Sequence, residues 1–228
     1  VEYVEMEAKT KLGMVGGTGD LGSGLAKHWA RAGYDLILGS PNREKAQGLA
    51  AELSTQTGGS LVGEHNLTAA KRSDVIVIAV PFLSHEAILN EIKPALQGKI
   101  VIDAVVALVP PKVSLVQLPA EGSASAIARN ILGEDVRLVA AFHNVGASKL
   151  HSGEPVNCDV LVFGDDAAAR EEAIRLAEIL GTRGIHGGPL ANSAAAEAMT
   201  SILIGINRRY KVAGAGIRIT GLAPDEHL

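Results

Sequence analysis

The sequence predicts a doubly wound parallel α/β sheet followed by a smaller α+β C-terminal part. Three observations carry this. Short runs of Val, Ile and Leu alternate with helical spacings over residues 1–145. A glycine-rich turn links the first such run to the first helix. Aromatic residues make up only 3% of the 228 positions, so the core is built from Ala, Val, Ile and Leu, the composition of strands covered on both faces.

The elements follow in order. Lys11–Val15 reads as a strand, and Leu21, Leu25, Ala26, Trp29 and Ala32 share one side of a helix over residues 21–32. A strand is expected over Asp35–Leu38, a helix over Arg43–Leu53 after the Ser40-Pro41 turn, and a weak strand over Ser60–Gly63. The apolar run Asp74–Val80 is a strand stopped by Pro81, and Ser84 is the expected N-cap of a helix ending at Ile92. Lys99–Ala104 is a strand, Ala107–Glu121 with its three prolines is a loop, Ser123–Leu132 is a helix and Val136–Phe142 is a strand. After Gly146 the rhythm changes. A strand (Asp159–Phe163), a helix (Ala167–Leu180), a short strand near Gly184–His186 and a long helix (Asn192–Tyr210) are expected. These read as a nucleotide-binding domain over 1–145 and a smaller domain over 146–228 that completes a second cofactor cleft.

Composition excludes several classes. A formal charge of −4 provides no basic field for nucleic acid or an anionic membrane. The single cysteine, Cys158, rules out an internal disulfide and a thiolate-rich metal site, and it reads as a small core residue. Residues 1–11 lack the apolar stretch of a signal peptide, and the apolar segment Ser193–Ile206 is short and carries Glu197. A cytoplasmic protein is expected. No two histidines stand at metal-ligand spacing, so no metal is expected. Ser123 and Ser125 lack the surroundings of a nucleophile elbow.

The strand Leu12–Val15 runs into Gly16-Gly17-Thr18-Gly19-Asp20-Leu21-Gly22, in which Gly17, Gly19 and Gly22 match G-x-G-x-x-G. The first allows the tight turn, the second lets backbone approach a pyrophosphate, and the third lets helix pack on strand. The phosphates then meet the free N–H groups at the start of a helix. An NAD site places a carboxylate at the end of the second strand, on the ribose 2′-OH. Here the segment is Gly39-Ser40-Pro41-Asn42-Arg43-Glu44-Lys45, with no carboxylate at the strand end. Ser40, Asn42, Arg43 and Lys45 suit a 2′-phosphate, so NADP(H) is the expected nucleotide. Cations at a helix start oppose its dipole, which gives Arg43 and Lys45 a reason to be something other than surface charge.

The glycine turn, the Gly39-Ser40 strand end, Ala141-Phe142-His143-Asn144-Val145 and Gly188-Pro189-Leu190-Ala191-Asn192-Ser193 together resemble the NADPH-dependent coenzyme F420 reductases, from about Lys11 to Leu222. The resemblance implies reversible hydride transfer between NADPH and the deazaflavin coenzyme F420. It implies that Thr18, Gly19, Asp20, Leu21, Ser40 and Lys45 line the NADP site and that Val80, Pro81, Val106 and Ala147 lie along the nicotinamide half. It puts His143 and Val145 near the deazaflavin ring, and it adds Asn192 and Ser193 to the cofactor-binding set. Family members often carry Arg after the serine of the second strand end, where this chain has Pro41; the phosphate contact shifts to Asn42, Arg43 or Lys45.

For the chemistry, a donor aimed at the N1–C2=O side of the deazaflavin would lower the barrier. Backbone N–H groups after Val80 or Phe142, with His143 orienting or polarising, are the candidates. The basic cluster Asn207-Arg208-Arg209-Tyr210-Lys211 either complements the helix dipole or, through Arg208, receives the anionic coenzyme tail. The apolar helix from Asn192 is expected to be buried, under the sheet or in a homodimer. Two alternatives stay open: another NADPH enzyme on the same scaffold, acting on an imine or small carbonyl, and a non-catalytic NADP sensor.

Overall fold

A computed structural model of the chain describes residues 10–152 and 155–222. The readings of the charged segment before Thr10 and of the acidic tail after Leu222 fall outside the described residues. The first half runs β1 (Lys11–Val15), α1 (Asp20–Arg31), β2 (Asp35–Ser40), α2 (Arg43–Thr57), β3 (Leu61–His65), α3 (Asn66–Lys71), β4 (Val75–Ile78) and α4 (Phe82–Ile92). It continues with β5 (Ile100–Asp103), α5 (Ala124–Leu132) and β6 (Arg137–Ala140). The remainder comprises α6 (Ala147–Ser152), β7 (Asp159–Gly164), α7 (Ala167–Glu178), β8 (Arg183–Gly188) and α8 (Ser193–Tyr210).

All eight strands share one sheet in the order β3-β2-β1-β4-β5-β6-β7-β8. Pairing is parallel except between β6 and β7. The chain winds from β1 outward to β3 and then returns to start β4 on the other side of β1. The strand order therefore reverses between β1 and β4, where ligands of open α/β sheets bind. The register lines up the strand ends. Val15 pairs with both Gly39 and Ile78, Ile78 with Asp103, and Asp103 with Ala140. One row of residues thus marks the carboxyl edge, and the loops after it share one mouth.

The strands are buried on both faces, as their unbroken Val/Ile runs require. In β4, Val75 and Val77 join the core cluster with Leu25, Trp29 and Leu38, while Ile76 and Ile78 join the cluster with Ile88, Leu89 and Ile92 on the other face. Trp29 on α1 is fully buried; its ring meets Phe142 edge-on at 5.8 Å, and its Nε1–H donates to the Leu176 carbonyl at 2.9 Å. The first helix is thereby bonded to α7.

Several sequence expectations are corrected. Ser84 does not cap α4; the helix starts at Phe82 with Pro81 at its N-cap, and the Ser84 N–H donates to the Pro81 carbonyl. The strand expected over 136–142 spans only Arg137–Ala140, because Phe142 turns left-handed at φ 68° and swings the chain out of the sheet. The helices α3 and α6, of six residues each, were not read from sequence: such a length is too short for a period to register. The long α8 is only half covered. It buries Ser193, Ala196, Glu197, Ser201 and Leu203 at helical spacing and leaves Ile202 exposed. Among the described residues no helix is long and apolar enough to cross a membrane.

Candidate functional site

The glycine turn lies at the β1 end of the carboxyl edge and is fixed by its own backbone. The Gly17 N–H donates to the Met14 carbonyl at 3.1 Å and the Gly39 carbonyl at 2.9 Å, and the Gly19 N–H donates to Gly16 at 3.0 Å. A Cβ at Gly22 would stand 2.7 Å from the Gly16 oxygen, and one at Gly17 would stand 2.9 Å from the Met14 oxygen. Gly16, outside the predicted motif, is also required: φ is +78°, and a Cβ would meet the Ala79 oxygen at 2.5 Å. Gly19 differs. The nearest atom to a Cβ there is 3.4 Å away, an ordinary contact, so nothing within the protein demands glycine. Its bareness serves whatever lies outside. Helix α1 also has no side-chain cap, whereas α2, α5 and α7 are capped by Asn42, Ser123 and Asp166. Exposed backbone donors at a positive helix end, beside a glycine with space around it, fit a diphosphate.

Beneath the turn sits Asn66. Its Oδ1 accepts from the Gly16 N–H at 3.4 Å, and its Nδ2 is buried without a partner. Beside the turn, Ser40 accepts from Thr18 Oγ1 at 3.4 Å and from the Asn42 N–H at 3.1 Å. The Asn42 oxygen accepts the Lys45 N–H at 2.7 Å, which leaves its amide NH2 as the group free to serve a ligand. Arg43, half exposed, pairs with Glu64 at 3.1 Å. Asn42, Arg43 and Lys45 all stand at the surface.

Next to the turn, over the β1/β4/β5 ends, lies an apolar cleft of about 390 Å³. Leu21, Val80, Pro81, Val106 and His143 line it, so the structure brings these five predicted residues together. It adds Thr200 from α8, which sequence reasoning missed. The Thr200 hydroxyl donates to the His143 carbonyl at 2.9 Å, and the Asn144 amide donates to Thr200 Oγ1 at 3.1 Å and to the Ala196 carbonyl at 2.8 Å. These bonds dock α8 onto the loop after β6. Other predicted residues lie apart from the cleft lining. Val145 packs in the core, Ala147 begins α6, and Asn192 donates to the Gly187 carbonyl at 3.1 Å. Ser193 is buried with its hydroxyl unpartnered. Arg208 reaches Ser114 at 3.3 Å, beside the loop whose Leu108, Pro110 and Val113 close the cleft.

His143 is 5% exposed and neither ring nitrogen has a hydrogen bond in the chain. Burial holds its pKa down to about 4, against the pull of the Asp103 charge, so the ring is neutral at neutral pH. Its ring therefore does not cap the end of β6 by hydrogen bonding. The linkage has a definite sign. A pKa lowered from 6.5 in the unfolded chain to about 4 means stability that is complete above pH 6.5 and lost as pH falls toward 4. The share due to this ring is roughly 3 kcal/mol. Urea unfolding of His143→Gln at pH 7.5 and pH 4.5 should show less acid loss than the parent by about that amount; equal losses would overturn the assignment.

Two further groups join residues far apart in the sequence. Glu197, 1% exposed, accepts the Ala124 N–H at 2.7 Å, the Ser125 N–H at 3.1 Å and the Ser125 hydroxyl at 3.0 Å. That accounts for the Gly-Ser-Ala-Ser stretch: Ser123 caps α5 and Ser125 binds Glu197. His85 and Asp103 form an ion pair at 3.0 Å, both wholly buried. Among the described residues no three His, Cys, Asp or Glu side chains stand together as a metal-ligand set.

Residues 11–107 match the family model described as NADP oxidoreductase coenzyme F420-dependent. The F420-dependent NADP reductase of Methanocaldococcus jannaschii is 38% identical over 222 residues, covering 93% of this chain and 99% of that protein. The F420-dependent NADP reductase of Methanothermobacter thermautotrophicus is 39% identical over 225 residues, covering 95% and 97%. Among solved structures, one from Arthrobacter sp. FB24 superimposes with a TM-score of 0.78 at 20% identity, over 93% of this chain and all of that one. A reductive aminase from Aspergillus terreus does so at 0.64 and 17% identity, over 90% and 63%; these two likenesses speak for the fold.

Proposed function

This chain belongs to the F420-dependent NADP reductase family, and from that premise we propose how its cleft transfers a hydride between NADPH and coenzyme F420. The observation that carries the reading is one juxtaposition. Gly19, with room for a side chain it lacks and at the uncapped start of α1, lies beside an apolar cleft at the same sheet edge. When bound, NADPH supplies the hydride and the deazaflavin accepts it. The protein binds, aligns and shields.

In this reading Gly17, Thr18, Gly19, Asp20, Leu21 and Gly22 cradle the pyrophosphate, and Ser40, Asn42, Arg43 and Lys45 receive the 2′-phosphate. Val80, Pro81 and Val106 press the nicotinamide flat, and stacked rings at contact distance are what hydride transfer needs. His143, neutral and without a partner in the chain, orients the second ring as a hydrogen-bonding group and does not act as a proton donor. Thr200 fixes the backbone that carries it. Val145, Ala147, Asn192 and Ser193 act indirectly, by holding the 141–147 loop and the start of α8. Arg208, at the rim, meets the anionic coenzyme tail. Residues 1–145 thus hold the nucleotide, and 146–228 complete the second-cofactor side. The open face of α8 and the concave apolar surface of Leu161, Phe163, Met199 and Ile217 beside it suit a second copy of the chain.

The test is direct. Purified protein mixed with NADPH and coenzyme F420 should bleach the deazaflavin absorbance, and NADH should do so at least about tenfold more slowly, since it lacks the phosphate that Arg43 and Lys45 attract. Tight NADPH binding without bleaching would remove the second cofactor and favour an imine or carbonyl substrate.

A further inference from the structure

The mechanism above leaves unused a buried charged cluster directly behind the cleft. His85 and Asp103 are both 0% exposed, with Nε2 3.0 Å from Oδ2. Such a pair is no route to stability in itself, because desolvating two charges costs about what their attraction returns. Its position suggests a different role. Asp103 is the last residue of β5, and its other oxygen accepts the Val105 N–H at 3.1 Å, which sets the course of Ala104-Val105-Val106 along one cleft wall. His85 lies one turn into α4, behind Phe82 of the opposite wall, their rings 6.5 Å apart. One carboxylate therefore faces both walls: the 104–106 loop through the bond from Val105, and the 79–82 loop through a charge contact with His85 that is too close to ignore yet out of line for a hydrogen bond.

We propose that His85 and Asp103 are positioning residues for hydride transfer, a buried clamp that sets the width of the ring-binding cleft. This rests on the hydride-transfer reading above. The charged surroundings of the clamp are few. Burial opposes a charge on His85, but Asp103 from β5, Glu197 from α8 and Glu86 on its own helix reverse this and raise its pKa. His143, from the loop after β6, is neutral at neutral pH. The Arg129 guanidinium of α5 is engaged by the Gly133 and Val136 carbonyls, while Lys71 of α3 and Lys93 after α4 complete the charged groups on elements packed against α4. Because Asp103, Glu197 and Glu86 hold the folded pKa of His85 above its ordinary value, the clamp keeps its charge at lower pH and loosens as pH rises through that raised value.

Asp103→Asn keeps an oxygen for Val105 and removes the charge that holds His85. Single-turnover hydride transfer should slow about tenfold, while the NADPH dissociation constant changes by less than about twofold, since the glycine turn is untouched. The decline in rate at high pH expected of the parent should vanish. The double variant His85→Gln/Asp103→Asn replaces the ion pair by a neutral amide pair. It should recover the rate to within about threefold of the parent, with no high-pH decline. An Asp103→Asn enzyme with the parent's rate and pH profile overturns the clamp, and so does a double variant that retains the high-pH decline. A parent that binds NADPH but never bleaches the deazaflavin refutes the function instead. In that case the Val105 amide still reports on the clamp: its protection factor, the exchange rate referred to the intrinsic rate at each pH, should fall at high pH in the parent and stay level with pH in the double variant.

Discussion

Gly19→Val should leave the protein folded and abolish useful NADPH binding, weakening it by about 100-fold or more, near 3 kcal/mol. The expectation comes from the contrast among the glycines of one turn. Gly22 and Gly17 are hemmed in by backbone oxygens of the turn itself, and backbone cannot step aside. Gly22→Ala should therefore cost both folding stability and affinity. At Gly19 the chain has space, and its φ of −84° is open to any residue. A side chain there intrudes only on the ligand. Thermal unfolding of Gly19→Val within about 2 °C of the parent, together with lost affinity by fluorescence titration, is the expected result. Retained NADPH affinity would move the diphosphate elsewhere.

Glu197→Ala is expected to destabilise the fold by about 3 kcal/mol, because it strands two buried N–H groups and a hydroxyl at the start of α5 and leaves a void. Turnover should fall with it, since Thr200 lies one turn further along the same helix and faces the cleft. The pH dependence has a sign opposite to that of His143. Burial pushes the Glu197 carboxyl up to about 7 despite the three donors, so its protonated form suits the fold better than the unfolded chain. Its share of stability is largest below pH 4.5 and declines as pH rises toward 7. In the parent the two slopes oppose each other across much of the same range. Urea titrations of the single variants would separate them: the Glu197→Ala protein should gain relative stability toward neutral pH. No change in unfolding free energy would show that α5 starts unaided.

The parts legible in the sequence were those set by local rules. Apolar runs gave the strands, and Gly17, Gly19 and Gly22 gave the turn because strand, glycines and helix are contiguous. His143 could be placed because it follows a strand end. The clamp and the Glu197 cap were not legible, since they arise from register: Asp103 meets His85 only because β5 lies beside β4, and Glu197 meets Ala124 only because α8 crosses the start of α5. A carboxylate ending the apolar run Ile100-Val101-Ile102 was a signal that could have been read, because such a charge must find a partner. Phe142 misled for another reason. A phenylalanine ordinarily prolongs a strand; here tertiary packing against Trp29 holds it in a conformation it seldom adopts.

Trp29 is the chain's single tryptophan. Its indole is sealed from water between the helix that begins at the glycine turn and the residue preceding His143, with its nitrogen bonded to α7. Ultraviolet excitation above the tyrosine band thus addresses one chromophore, and its emission wavelength and lifetime record how tightly those three segments stay together during each catalytic cycle, without any label attached.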